Sequence, residues 1–183
     1  TNHGVITAGP GTIIINGATT NNSTITASTG NLTFGALVNN GTITATTGSI
    51  TVGGALSNIG TLSAAAGTLT FNGTFNPLAG GTLIGVNFAL GGIADLAGAT
   101  WTLPAGTSWR INGTLQNGTV NLASGSLTFP PLCSFGRLSN LTINGNLTVN
   151  SSVIRWNNVT HNGVLTLTGT SLGIAFEGNQ TLA

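Results

Sequence analysis

Three consecutive stretches of this chain are near copies of one another, about 19 residues apart. The first runs Ser23-Thr-Ile-Thr-Ala-Ser-Thr-Gly30 and then Asn31-Leu-Thr-Phe34. The second runs Gly41-Thr-Ile-Thr-Ala-Thr-Thr-Gly48 and then Ser49-Ile-Thr-Val52. The third runs Gly60-Thr-Leu-Ser-Ala-Ala-Ala-Gly67 and then Thr68-Leu-Thr-Phe71. Each closes on a shorter stretch: Ala36 to Asn39, Ala55 to Asn58, and Thr74 to Pro77. A unit this small cannot bury its apolar face alone. Copies at a fixed period bury it against each other, which is the logic of a solenoid.

Within a copy, apolar and small residues alternate with Thr, Ser and Asn. Side chains on a strand point to opposite faces in turn, so Ile25, Ala27, Leu32 and Phe34 point inward and the threonines outward. Gly, Asn and Pro separate the strands and suit tight corners. No stretch has a helical period, and the strong helix formers are nearly or wholly missing.

The inward residues line up from copy to copy. One column runs Ile6, Ile25, Ile43, Leu62; a second Ile13, Leu32, Ile50, Leu69; its neighbour Ile15, Phe34, Val52, Phe71; another Leu37, Leu56, Phe75. Such columns follow if each coil pairs with the next as parallel strands, roughly 4.8 Å apart. The expectation is a single all-β domain over 1–183, a parallel β-helix with three short sheets and roughly nine coils. The repeat blurs near 85–100, where Gly91 to Thr100 reads as a longer loop or irregular coil, and again near 130–137, where Pro130 and Pro131 cannot lie inside a paired strand. Register returns at Leu103, Trp109, Ile111 and Leu115, and at Leu127 and Phe129.

Charge is almost absent. Asp95, Glu177, Arg110, Arg137 and Arg155 are the only charged side chains, for a net charge of +1. That gives no footprint for nucleic acid or an anionic membrane. No apolar run is long enough for a transmembrane helix. Cys133 is the only cysteine, so no internal disulfide forms. It reads as a small buried hydrophobe, with an intermolecular bridge as the alternative. One cysteine and two distant histidines make no metal site, and no cofactor is expected. With no initiator Met or recognisable leader, the sequence reads as a mature product or a piece of a longer protein.

Catalysis on a β-helix needs carboxylates that share a cleft. Asp95 and Glu177 fall some four coils apart, so they read as a loop residue and a terminal surface charge, and the chain as no enzyme. His3 and His161 read as surface polars. Trp109 falls on an inward column. Trp101 and Trp156 are left between corner packing and an exposed aromatic contact, the latter beside Arg155. Twelve Asn-x-Ser/Thr sequons occur among 22 asparagines. They read either as glycan acceptors or as turn-then-strand text that the repeat copies. The most specific surface feature is outward: Thr24 and Thr26, Thr42 and Thr44, Thr61 and Ser63 form a two-column ladder.

The text from Asn40 to Val52 and from Asn58 to Phe71 resembles the passenger and stalk repeats of large bacterial surface proteins. Those are the filamentous-haemagglutinin and autotransporter adhesins and the giant Gly/Thr/Asn-rich repeat proteins. The resemblance implies a right-handed β-helix exported to the cell surface, and it carries over no functional residue. The expected role is a non-catalytic extracellular structural or adhesive segment, with stalk-like or fibre-forming character. Its expected partners are further copies of itself, and glycans or host surfaces. An ice-binding protein using the threonine ladder is one alternative; a carbohydrate-binding or polysaccharide-processing β-helix is another. Open strand edges and low net charge predict end-to-end or lateral association.

Overall fold

The computed structural model describes residues 1–130, 136–150, 153–168 and 173–182. Cys133 and most of the second expected irregularity lie outside them. The described residues form strands and turns without helix, and every strand pair is parallel. The fold is a β-solenoid of about nine turns repeating at about 19 residues. It falls into two compact units, 1–89 and 90–183.

Unit 1 has three walls. The first stacks Val5–Ala8, Thr24–Ala27, Thr42–Ala45, Thr61–Ala64 and Thr82–Ile84. Its register pairs Ile6 with Ile25, Ile25 with Ile43, Ile43 with Leu62 and Leu62 with Leu83, so the expected column is present and one member longer. The second wall stacks Ile13–Ile15, Leu32–Phe34, Ile50–Val52 and Thr68–Phe71 in the expected register. The third stacks Thr19–Asn21, Leu37–Asn39, Leu56–Asn58 and Thr74–Phe75. Ile25, Leu32, Ile43, Ile50, Leu62 and Leu69 have no solvent exposure at all. Burial of each such side chain stabilises by about 1.5–3 kcal/mol. Phe71 stacks on Phe75 with ring centroids 4.4 Å apart, tying the second wall to the third.

The corner between the third and first walls is held by asparagine. The Asn2 amide donates to the Asn21 side-chain oxygen at 2.8 Å, and Asn21 in turn donates to Asn39 and Asn39 to Asn58 at the same distance. Asn21 and Asn39 are fully buried. Each spare N–H also reaches the backbone: Asn21 to the Ser23 carbonyl at 3.0 Å, Asn39 to the Thr61 carbonyl at 3.1 Å. Buried amides are tolerable only when bonded in this way.

Unit 2 uses longer strands. Thr114–Asn121, Arg137–Asn144 and Val153–Asn162 pair in sequence, and each is bent in its middle. The bends are Asn117, Asn140 and Asn158, with φ of 59°, 51° and 53°. Asparagine tolerates this left-handed conformation better than most residues. The three also bond along the axis, Asn158 donating to Asn140 at 3.1 Å and Asn140 to Asn117 at 3.2 Å. Inside lie Leu115, Val120, Leu138, Leu141, Ile143, Ile154, Trp156 and Val159, all buried. Leu103, Trp109, Ile111, Leu127 and Phe129 are buried as their register predicts.

Of the two readings of Gly91 to Thr100, a longer loop or an irregular coil, the structure shows the irregular coil. That segment is not simply a loop, because Ile93–Asp95 is a strand paired with Thr114, Leu115 and Gln116. A short turn follows, with Ala97 at φ 51° and Gly98 at φ 84°, and pairing resumes at Thr100–Thr102. Two extra residues at this corner shift the spacing without breaking the ladder.

Candidate functional site

The first wall of unit 1 presents the threonine ladder. Its register places Thr24, Thr42 and Thr61 in one outward column and Thr26, Thr44 and Ser63 in the other. The structure lengthens both. Thr82 follows Thr61 in the first column, and Thr7 precedes Thr26 in the second. The result is a net of eight hydroxyls, bounded by Val5 on the first column and Ile84 on the second. Rows recur at roughly 4.8 Å and the two columns lie about 6.6 Å apart, from strand geometry. Among the described residues none of these eight hydroxyls has a hydrogen-bond partner, whereas the Thr19, Thr47, Thr107 and Thr128 hydroxyls each donate to a backbone carbonyl. Behind the net, Ile25, Ala27, Ile43, Ala45, Leu62 and Ala64 are fully buried, so the strands that carry it are pinned.

The aromatic alternative is overturned. Trp156 has no exposure and Trp101 only 6%, so neither shows a face to a sugar. Trp101 packs edge-on against Trp109 at 4.6 Å, and Trp156 lies between His161 and Phe176 at 6.0 and 6.1 Å. The bulky rings are packed in the interior of unit 2. His161 is likewise no surface polar. It is 1% exposed, and its Nε2 lies 2.9 Å from the Gly145 carbonyl. His3 is exposed, with Nδ1 3.4 Å from the Asn22 amide.

Both carboxylates are engaged. Asp95 ends a strand rather than sitting in a loop. Its Oδ2 accepts from the Gln116 and Asn117 amides at 2.8 and 3.0 Å, and its Oδ1 from the Ala97 N–H at 2.9 Å. The Gln116 bond foremost, then the Ala97 N–H, hold its pKa below the ordinary value against the cost of burial, and the Asn117 bond adds a smaller lowering. Glu177 accepts from Arg137 at 3.0 Å and from Arg155 at 3.3 Å. These arginines are partners across adjacent strands. The register runs Asp95, Gln116, Ser139, Asn157, with Glu177 just past the end of the next strand, Gly173–Phe176. The two carboxylates are thus four strand spacings apart, roughly 19 Å.

Among the described residues no group of three or more His, Cys, Asp or Glu is placed to hold a metal, and no helix is long and apolar enough to cross a membrane. The sequons divide by environment. Asn21 is buried; the side chains of Asn31, Asn117, Asn140 and Asn158 bond to neighbouring coils; and Asn72 is exposed at a corner. The fold defines a parallel β-solenoid. No family model, curated protein or solved structure matches the chain.

Proposed function

We propose that this chain is a non-catalytic structural or adhesive segment of an extracellular, cell-surface protein. The observation that carries the reading is how its polar groups are spent. Buried asparagines bond from coil to coil, and both carboxylates are tied to neighbours four spacings apart. Acid–base chemistry needs such groups together and free to meet a substrate. The design instead favours a wall that repeats.

Association with further copies belongs to the same reading. Val5–Ala8 and Ile13–Ile15 are edge strands of their sheets, while Asn2 bridges Asn21 on the third. Val5 and Ile14 are 72% and 61% exposed there, and a hollow of about 200 Å³ lined by Ile6, Ile15 and Ile25 opens beside them. Strands of one period can extend the stack, and either further solenoid or a second copy supplies them. Glycans or host surfaces are the other partners this role calls for.

Sedimentation velocity over a wide concentration range, joined with electron microscopy, tests the proposal. Growth with concentration into fibres supports it, and a stable monomer at the highest concentration removes the association. Turnover of a polysaccharide that is lost in Asp95→Asn or Glu177→Gln would overturn the non-catalytic role.

A further inference from the structure

We propose that the outward hydroxyl net of unit 1 binds ordered water, and that its ligand is the surface of ice. This goes beyond the structural role, which needs only that the wall be soluble and paired.

Four features of the face point the same way. The register repeats without offset from Thr24 through Thr42 and Thr61 to Thr82, so the net is regular in two directions. Its cell edges, roughly 4.8 and 6.6 Å, are on the scale at which oxygen positions recur on an ice surface. The hydroxyls are uncommitted among the described residues, so each keeps a donor and two acceptor sites for water. The side chains are also held in place. Threonine is stiff at χ1, and the buried column behind it leaves the backbone no room to shift.

The composition of the face decides between ligands. A crystalline polysaccharide is gripped by exposed aromatic rings and by charged or amide groups in a cleft. The net has neither, and the tryptophans that would serve are buried in the other unit. It offers a hydroxyl at each point and a methyl at every point but Ser63. The methyls limit how freely first-layer water can move, and the hydroxyls join that layer by hydrogen bonds.

The neighbouring wall supplies a control. Its outward residues Ile14, Thr33, Thr51 and Thr70 make only one column, so it lacks the second dimension of the net. Purified protein is assayed for thermal hysteresis and for adsorption, as a fluorescent conjugate, to a single-crystal ice hemisphere. The intact chain is expected to show both. Thr44→Lys, at the centre of the net, should lower the hysteresis about tenfold or more, and Thr51→Lys should leave it within about twofold. Far-UV circular dichroism checks that each variant keeps its strand signal. If Thr44→Lys does not fold, the smaller change Thr42→Ser with Thr44→Ser takes its place and should still weaken adsorption. A folded wild-type chain without hysteresis or adsorption overturns the proposal. So does an equal loss in Thr51→Lys, or full activity in the serine pair.

Discussion

The side-chain amide of Asn21 donates to the side-chain oxygen of Asn39 at 2.8 Å, and both residues are completely buried in the wall of the solenoid. Asn39 passes the bond on to Asn58 and also reaches the Thr61 carbonyl. It is therefore the central link of a polar chain that crosses the coils. Asn39→Ala breaks the link on both sides and strands the Asn58 oxygen. The expected cost is about 3 kcal/mol, the sum of lost bonds and an unsatisfied buried group. Urea denaturation should show a lower midpoint with an unchanged slope.

Ile43 tests the apolar counterpart. It is fully buried, between Ile25 and Leu62 in its column. Ile43→Ala should cost about 2–5 kcal/mol through lost burial and the cavity left behind. A loss below the lower bound, measured by the same denaturation, would mean the column closes around the gap.

Gly60 sits at a corner where successive coils touch. A β-carbon there would run into the Gly41 carbonyl oxygen. Backbone cannot move aside as a flexible side chain does. Gly60→Ala should therefore destabilise by about 1–3 kcal/mol, as overpacking does. The change at Gly9, where added atoms meet nothing within 4 Å, should be nearly neutral in the same thermal melt.

Ala97 holds φ at 51° without the side-chain bonding that eases Asn117 and Asn140 into the same conformation. Ala97→Gly should stabilise unit 2 by about 1 kcal/mol, the order of the left-handed penalty for a residue with a β-carbon. A melt that moves downward instead would show that chain entropy outweighs the relief.

The depressed pKa of Asp95 fixes the sign of a pH effect. Its carboxylate is favoured in the folded chain by the Gln116, Ala97 and Asn117 donors. That contribution is complete above the unfolded value, about 3.9, and fades as pH falls through the lower folded value. Stability should thus decline on acidification below about pH 4. Asp95→Asn should flatten this limb, measured by urea denaturation at stepped pH. An unchanged limb would place the acid sensitivity elsewhere.

Much of the fold was legible because the repeat is nearly literal. Once Ile25, Ile43 and Leu62 recur at one phase, the parallel register is the arrangement that brings them together. The threonine ladder was legible for the same reason, since outward residues inherit the phase of inward ones. The asparagine chain was not. Asn21, Asn39 and Asn58 read as corner residues, and nothing in the local pattern says that a corner amide turns inward. His161 and Trp156 escaped for a related reason: polar and amphipathic side chains have no fixed side of a wall until their neighbours are known. The cluster of Glu177 with Arg137 and Arg155 unites residues 40 and 22 positions apart, beyond any local signal.

The sequence by itself determined the class of structure: an all-β solenoid, with its period, its inward columns and its outward threonines. Hydrophobic alternation acts through nearest neighbours along and across strands, and a repeat copies those neighbours faithfully. Only the tertiary structure decided which polar groups are consumed inside the molecule and which face water. The Asn39 amide is consumed, the Asp95 carboxylate is bonded, and the Thr44 hydroxyl has no partner among the described residues. Hydrogen bonds need atoms within about 3 Å and in line, and that is set by the path of the whole chain.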